Sequence, residues 1–457
     1  MAEADIIARV LTSPLDVDAT VWNTLLAQQT HPTPFMRHEY LAALHESGSA
    51  TPRTGWLPRF MTLWDGDILM AACPLYVKNH SYGEYVFDFA WANAYEQHGV
   101  PYYPKAVIAV PFTPVPGSRL LARDADARAL LMKAVCQWCD DENISSVHVL
   151  FASAEDVQTC AQQQLMLRHT VQFHWKNVAP TLGTGVSSLP PEGALAALGR
   201  PGVGSVAPTL GTGTSSLPRE GSTTDPSQPG SESPLGFSSF DAFLASLTQE
   251  KRKKIRQERR RVAEAGVSFR WARGADISAS DWDFFYSCYE RTYLEHGNPP
   301  YLKHDFFKRM AQHMPDSWLL FVAERGGHAI ATSLIAIGAY ESSASGQKEL
   351  EMVAYGRYWG ALERVDCLHF ECCYYQPLQW CIEHNVQRFE GGAQGEHKMA
   401  RALLPVQATS AHWLAHPAFA EAVERYLERE DAGITAYLEE LEGRTPFRAP
   451  IQGTSKR

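Results

Sequence analysis

The sequence predicts an α/β protein, α+β in arrangement, built twice over. Two observations carry that reading. Apolar runs of strand length alternate with segments of helical periodicity, and the order hairpin, strand, loop, helix, strand occurs once before residue 177 and again after residue 318. A third sets the scale: 457 residues, at a prior of roughly 150 per domain, suggest two or three domains. The boundaries expected from composition are 1–177 for an N-terminal domain, 178–234 for a linker, 235–445 for a C-terminal domain that opens on a basic helix, and 446–457 for a tail.

In the N-terminal region, residues 36–47 show helical spacing. Two apolar runs follow at 59–64 and 68–77, and Asp65-Gly-Asp67 between them is a hairpin turn signal. Residues 106–112 then read as a continuous apolar strand. The loop Thr113-Pro-Val-Pro-Gly-Ser-Arg119, a helix over 126–142 and a strand over 146–151 complete the unit.

The linker is rich in Gly, Pro, Ser and Thr, and it repeats. Val178-Ala-Pro-Thr-Leu-Gly-Thr-Gly185 returns at Val206–Gly213, and Ser187-Ser-Leu-Pro190 returns at Ser215–Pro218. Two copies without apolar periodicity cannot bury a core, so the segment reads as a disordered tandem duplication.

The C-terminal region begins with Phe240, Phe243, Leu244, Leu247, Ile255 and Val262, mostly at helical spacing, with Ser238 or Ser239 as N-cap. Residues 251–261 hold eight cations and one anion. That density suits either a solvated helix face or a site for the phosphates of a cofactor or an RNA, with Lys251 and Arg252 among its ligands. A hairpin, 318–324 with 329–336, turns at Arg325-Gly-Gly-His328. A strand then ends in Tyr355-Gly-Arg-Tyr-Trp-Gly360, a helix runs from about 368 to 384, and a strand begins at Phe389. Pro377 should kink or shorten that helix.

The polar residues of 355–398 form the candidate site. Strand ends and helix starts facing a Gly-rich turn, here Gly391-Gly392 and Gly395, are where α/β proteins gather ligand groups. Adjacent strands should bring Tyr355, Arg357, Glu371, Glu390, His397 and Lys398 into one cavity. Glu371 and Glu390 are the candidate proton acceptors, with His397 and His369 as alternatives. Arg357, Arg364 and Lys398 could bind a carboxylate or phosphate.

Composition narrows the function. A net charge of −10 argues against general nucleic-acid coating. Nine Cys cannot complete a disulfide framework, and no spacing suggests a metal site; free thiols in this number suit a cytoplasmic location. Cys136-Gln-Trp-Cys139 lies in a helical pattern and reads as core. No apolar run is long enough for a membrane span.

Several long motifs resemble the FemAB-like "peptidoglycan biosynthesis/recognition" family of the GNAT acyltransferase superfamily. They are Phe35-Met-Arg-His-Glu-Tyr40 with the residues to Ser49, Pro111-Phe-Thr-Pro-Val-Pro-Gly-Ser-Arg119, the basic helix, Tyr355–Gly360 and Gly392-Ala-Gln-Gly-Glu-His-Lys398. The resemblance covers roughly residues 30–177 and 236–430. It implies two tandem GNAT-like domains with mixed sheets. It also implies transfer of an acetyl, acyl or aminoacyl group from acyl-CoA or aminoacyl-tRNA to a small-molecule or peptide amine, with no metal. GNAT enzymes cradle the donor pyrophosphate in an Arg/Gln-x-x-Gly-x-Gly/Ala loop. This chain departs from that pattern in both halves, with Thr113–Arg119 in one and Leu362-Glu-Arg-Val-Asp-Cys367 in the other; Arg364 is the cation left to the second. In the competing reading, the fold has kept its cleft and lost its chemistry, and recognises a glycopeptide or protein.

Overall fold

A computed structural model describes residues 6–178, 236–342, 349–393 and 395–448. The duplicated insert beyond Val178, the tail from residue 449 and Gln394 of the last motif lie outside the described residues. Residues 1–178 and 236–448 cluster as one unit.

The strands before the insert are β1 (Ile6–Leu11), β2 (Leu57–Pro58), β3 (Phe60–Asp65), β4 (Ile68–Cys73), β5 (Leu75–Lys78), β6 (Lys105–Ile108), β7 (Leu121–Ala122), β8 (Ser146–Ala152) and β9 (Met166–Lys176). Those after it are β10 (Val267–Arg273), β11 (Trp318–Arg325), β12 (His328–Ser342), β13 (Glu349–Ala361), β14 (Arg388–Ala393) and β15 (Leu404–Leu414). Eleven form one mixed sheet in the order β10-β11-β12-β13-β14-β9-β15-β8-β6-β5-β2, and β1-β3-β4-β7 form a smaller sheet. The mixed α/β class expected from the sequence is the class observed.

The centre of the large sheet is an exchange. β9, the last strand before the insert, pairs antiparallel with β14 on one side and β15 on the other. β15 in turn pairs with β8. The final strand of each half therefore lies beside the penultimate strand of the other. The main apolar core also draws on both halves: Phe35 meets Tyr355 edge-on at 5.3 Å, and Tyr40 meets Phe306 at 5.2 Å. Each such fully buried side chain contributes about 1.5–3 kcal/mol.

Local departures from the expected elements have local causes. The run 68–77 breaks at Pro74, which has no N–H for a ladder, so β4 joins the small sheet and β5 the large one. The apolar run 106–112 leaves the sheet after Ile108, and Phe112 takes a left-handed φ of 60°. The helix expected at 368–384 is observed as Leu368–Phe370, a π segment Glu371–Tyr375 and Gln376–Glu383. The wide turn precedes Pro377, which lacks the N–H of a regular turn. The basic segment is two helices, Phe240–Ser246 and Gln249–Glu264; Ser239 caps the first by accepting from Ala242 N–H at 3.1 Å.

Candidate functional site

The sheet contains two parallel neighbours, β6 with β8 and β13 with β14, and each pair is held together by a short register and then separates. β13 and β14 pair from Val353↔Arg388 to Tyr355↔Glu390 and no further. Beyond that point β13 bulges, since Ile335 of β12 faces Gly356 while Leu334 faces Tyr358, leaving Arg357 as the extra residue. β14 turns through Gly392, whose φ is 73°. The gap between them is a cavity of about 140 Å3, lined by Ser333, Gly356, His369, Cys373, Phe389 and Gly391 among others.

The residues expected to share one cavity divide among three places, because strand side chains alternate between faces. Arg357 and His369 line the gap, and the Arg357 guanidinium reaches the Phe35 ring, 5.2 Å away, against which Tyr355 also packs. Burial, helped by His397, Arg401 and Lys398, lowers His369 to about 4, so it is neutral at ordinary pH. His397 stands at the rim, its Nε2 3.4 Å from the Tyr374 hydroxyl. Lys398 is buried under the gap. Its Nζ donates to the carbonyls of Gly391, Gly392 and Ala393 at 2.6, 3.1 and 2.8 Å. Those three bonds occupy all three ammonium protons. Lys398 thus fixes the end of β14, and burial brings its pKa down to about 8.

Tyr355 and Glu390 face the other side of the sheet. Phe389 and Gly391 point into the gap, so Glu390 between them points away from it. Glu390 is buried, accepts from Arg388 Nε at 3.1 Å, and lies 3.9 Å from His174 Nε2. Its Oε2 has no hydrogen-bond partner. Burial outweighs Arg388 and raises its carboxyl to about 7. Tyr355 is fully buried against Phe35.

Glu371 lies in a separate cleft of about 520 Å3 beside the basic helix, together with Arg256, Arg259 and Arg260. It accepts from Arg259 Nε at 3.1 Å and Gln376 Nε2 at 2.8 Å; burial raises its carboxyl, and Arg259 opposes that shift. Ile255, Glu258 and Val262 face inward on this helix, and Glu258 meets Arg401 at 2.8 Å. Lys251 and Arg252 are half-buried on its first turns and do not line the cleft, while Arg364 is exposed in the turn before residue 368. Glu371 and Glu390 therefore do not join the gap, and Tyr355 meets Arg357 only through Phe35, away from the gap.

The second parallel pair shows what sequence reasoning missed. β6 and β8 pair from Ala106↔Val147 to Ile108↔Val149, and the chain then returns to fill the space that opens. Gly117 forms a parallel bridge to Ala152 and donates its N–H to the Phe151 carbonyl at 3.1 Å. A Cβ at Gly117 would stand 2.6 Å from Thr33 Cγ2 and 3.2 Å from the His31 carbonyl, so any side chain there would have to displace Thr33. Arg119 is 1% exposed; its Nε donates to the Leu150 carbonyl at 3.0 Å and its backbone N–H to Asp156 Oδ2 at 2.6 Å. The segment Pro111–Arg119, which includes the residues that depart from the donor-loop pattern, is a plug.

Among the described residues no group of three or more His, Cys, Asp and Glu is placed to hold a metal ion, and no helix is long and apolar enough to cross a membrane.

No curated protein matches this chain. Among solved structures it is similar to a crystal structure of FemX, at 9% identity over 89% of this chain and 98% of that one, TM-score 0.46. It is also similar to L-PGS from Bacillus licheniformis, at 11% identity over 90% and 97%, TM-score 0.46. A tandem GNAT protein from the clavulanic acid biosynthesis pathway aligns at 9% identity over 90% and 99%, TM-score 0.40. These scores lie below 0.5, and the topology above stands on the chain's own strand pairing. Residues 13–180 and 233–449 match the FemAB-like family, described as peptidoglycan biosynthesis/recognition. The chain belongs to that family.

Proposed function

We propose that this FemAB-like protein is an N-acyltransferase that works at the gap between β13 and β14. The observation that carries the reading is a carboxyl group raised to about 7, Glu390, on the last residue of β14 that still pairs with β13. A donor whose acyl arm enters from the helix side brings its carbonyl to that apex. An amine arriving on the opposite face meets Glu390.

The amine attacks the carbonyl of a thioester or ester, and a C–N bond forms. The amine proton passes to the Glu390 carboxylate and on to the departing thiolate or alkoxide as the C–S or C–O bond breaks. Past Tyr355, β13 has no β14 partner on this edge, so backbone N–H groups there are candidates to stabilise the oxyanion. His369, neutral beside the gap, is a substrate-binding candidate, and His397 a proton carrier at its rim. The cleft beside Arg256, Arg259 and Arg260 is our candidate for the phosphates of the donor, whether CoA or the end of a tRNA, with Lys251, Arg252 and Arg364 as outlying cations.

Glu390 acts only as a carboxylate. Transfer should therefore rise with pH up to about 7 and level off above it. Purification with and without nuclease, followed by mass spectrometry of retained ligand and calorimetry with acetyl-CoA, tests the donor. Retained CoA supports a thioester and retained tRNA an ester. Binding of neither leaves a recognition module and ends the enzymatic reading.

A further inference from the structure

Arg357 carries a charge that no described residue neutralises. Its guanidinium lies 5.2 Å from the Phe35 ring centre and 5.1 Å from that of Tyr358. Nη2 donates to the Phe112 carbonyl at 3.0 Å and lies 3.4 Å from the Tyr358 hydroxyl. Nε is buried without a partner, and among the described residues no carboxylate forms an ion pair with Arg357. Aromatic faces and one carbonyl satisfy only part of a group with five N–H donors. A buried charge left uncompensated costs several kcal/mol, and such groups cluster where ligands bind.

Two neighbours are held in strained backbone. Tyr85 and Phe112 have φ of 63° and 60°, a conformation that costs non-glycine residues about 1–3 kcal/mol. Phe112 supplies the carbonyl that Arg357 binds, and it stacks on Tyr301 with ring centres 4.9 Å apart. The Tyr358, Tyr40 and Tyr85 hydroxyls act on the Arg357 charge, and Tyr85, whose hydroxyl is held inward, presents part of its side chain to solvent at 39% exposure.

The segment that carries Tyr85 is stapled at three points by one buried cation. Lys105 Nζ reaches Ser81 Oγ at 2.7 Å, Glu84 Oε2 at 2.7 Å and Asp88 Oδ2 at 2.5 Å. The strap so fixed presents Tyr82, Phe87 and Phe89 to solvent, with Phe87 and Phe89 stacked at 6.2 Å. Large aromatics exposed together on a rigid segment mark a binding surface.

We propose that this cluster binds a carboxylate-bearing molecule with an aromatic or extended apolar body: the carboxylate on Arg357, the body against Tyr85 and the strap. One planar guanidinium matches one planar carboxylate in charge and in donor geometry, whereas a phosphate dianion would keep an uncompensated charge. That this molecule is the amine acceptor rests on the acyltransferase reading; the binding does not.

The full chain is titrated with 3-phenylpropionate, 3-phenylpropanamide and propionate, followed by tryptophan fluorescence. The acid is expected to bind about tenfold tighter than its amide, a charge-assisted hydrogen bond's worth of preference, and propionate more weakly than 3-phenylpropionate. Arg357→Met should equalise acid and amide. Tyr85→Ala should weaken both and keep the preference for the acid. Equal affinities in the unaltered chain, or a preference that survives in folded Arg357→Met, overturns the proposal. If Arg357→Met does not fold, Arg357→Lys takes its place: several-fold weaker acid binding supports the site, and unchanged binding overturns it. Acetyl-CoA calorimetry and nuclease-dependent tRNA retention, measured on the same samples, keep the two readings apart. Acid preference without either donor leaves the carboxylate site standing and ends the transferase reading, and a donor without acid preference does the reverse.

Discussion

Between β6 and β8, parallel pairing from Ala106 to Ile108 gives way to a loop that doubles back and fills the gap. Between β13 and β14, parallel pairing from Val353 to Tyr355 gives way to a cavity. Each gap has a buried carboxyl group nearby that burial raises, Asp156 to about 6 in the first and Glu390 to about 7 in the second. Their surroundings set their roles. Asp156 accepts the Arg119 backbone N–H and lies 3.5 Å from Arg128, beneath a plug. Each carboxyl keeps one oxygen without a hydrogen-bond partner, and what distinguishes Glu390 is the open gap at its shoulder. A repeated scaffold can thus keep one gap for chemistry and use the other to hold itself together.

The sharpest test exchanges the two carboxyls for amides. Glu390→Gln should lower the rate of acyl transfer by about 10²–10⁴-fold and remove the pH-dependent limb near 7, with the fold intact. Asp156→Asn should leave the rate unchanged and move only stability. The sign follows from its raised pKa. The folded chain holds the Asp156 proton more tightly than the unfolded chain, so this group's stabilisation is complete below about 4 and is lost as pH rises through about 6. A rate effect from Asp156→Asn comparable to that of Glu390→Gln would erase the distinction.

Removing the plug comes next. Arg119→Met should cost about 3–5 kcal/mol in urea unfolding, because it leaves the Leu150 and Val115 carbonyls without their buried partner and removes the cation beside Asp156, whose bond from the residue 119 backbone N–H remains. Acid should then loosen the strand exchange between the gaps. Burial lowers His148 and His174 to about 3 and His412 well below its ordinary value, and His148 meets His412 at 2.7 Å. The unfolded chain binds these protons first, so stability should fall below pH 6.5 by up to about 1.4 kcal/mol per pH unit for each group. Denaturant midpoints measured from pH 7 to pH 4 read that slope. The smallest effect is expected from Cys373→Phe, which fills the open gap; calorimetry should show about tenfold weaker donor binding, near 1.4 kcal/mol, with stability little altered.

The sequence made elements legible where their signals were local. The hairpin at Arg325–His328, the helix at Ala125–Asp141, the strand at Ser146–Ala152 and the Ser239 cap all stand within a residue or two of their signals. Partners were not legible. β9 and β15 are not among the strands expected from the sequence, and burial along β9 does not alternate with period two, so the exchange at the centre could not be read. The candidate site failed because side chains divide between faces. Glu390 and Phe389 are neighbours in sequence and on opposite faces in space, and Glu371 lies across a helix from His369. The Pro111–Arg119 loop has the glycine and arginine of a ligand cradle, and only the register with β8 shows that the Gly117 N–H and Arg119 Nε are spent on β8 carbonyls.

Asn177 and Phe237 are sixty positions apart and share a hydrogen bond, Phe237 N–H to Asn177 Oδ1 at 2.8 Å. Asn177 is itself fastened to β14's approach through the Val386 carbonyl at 3.1 Å. Whatever lies between therefore departs from and returns to a single knot, and its length makes no geometric demand on the sheet. Copying errors that add or remove sequence would go unpunished there. The 28-residue duplication at Val178 and Val206 is the kind of scar such a permissive address collects, and the same address would accept a fluorescent or affinity domain as readily as it accepted a second copy of itself.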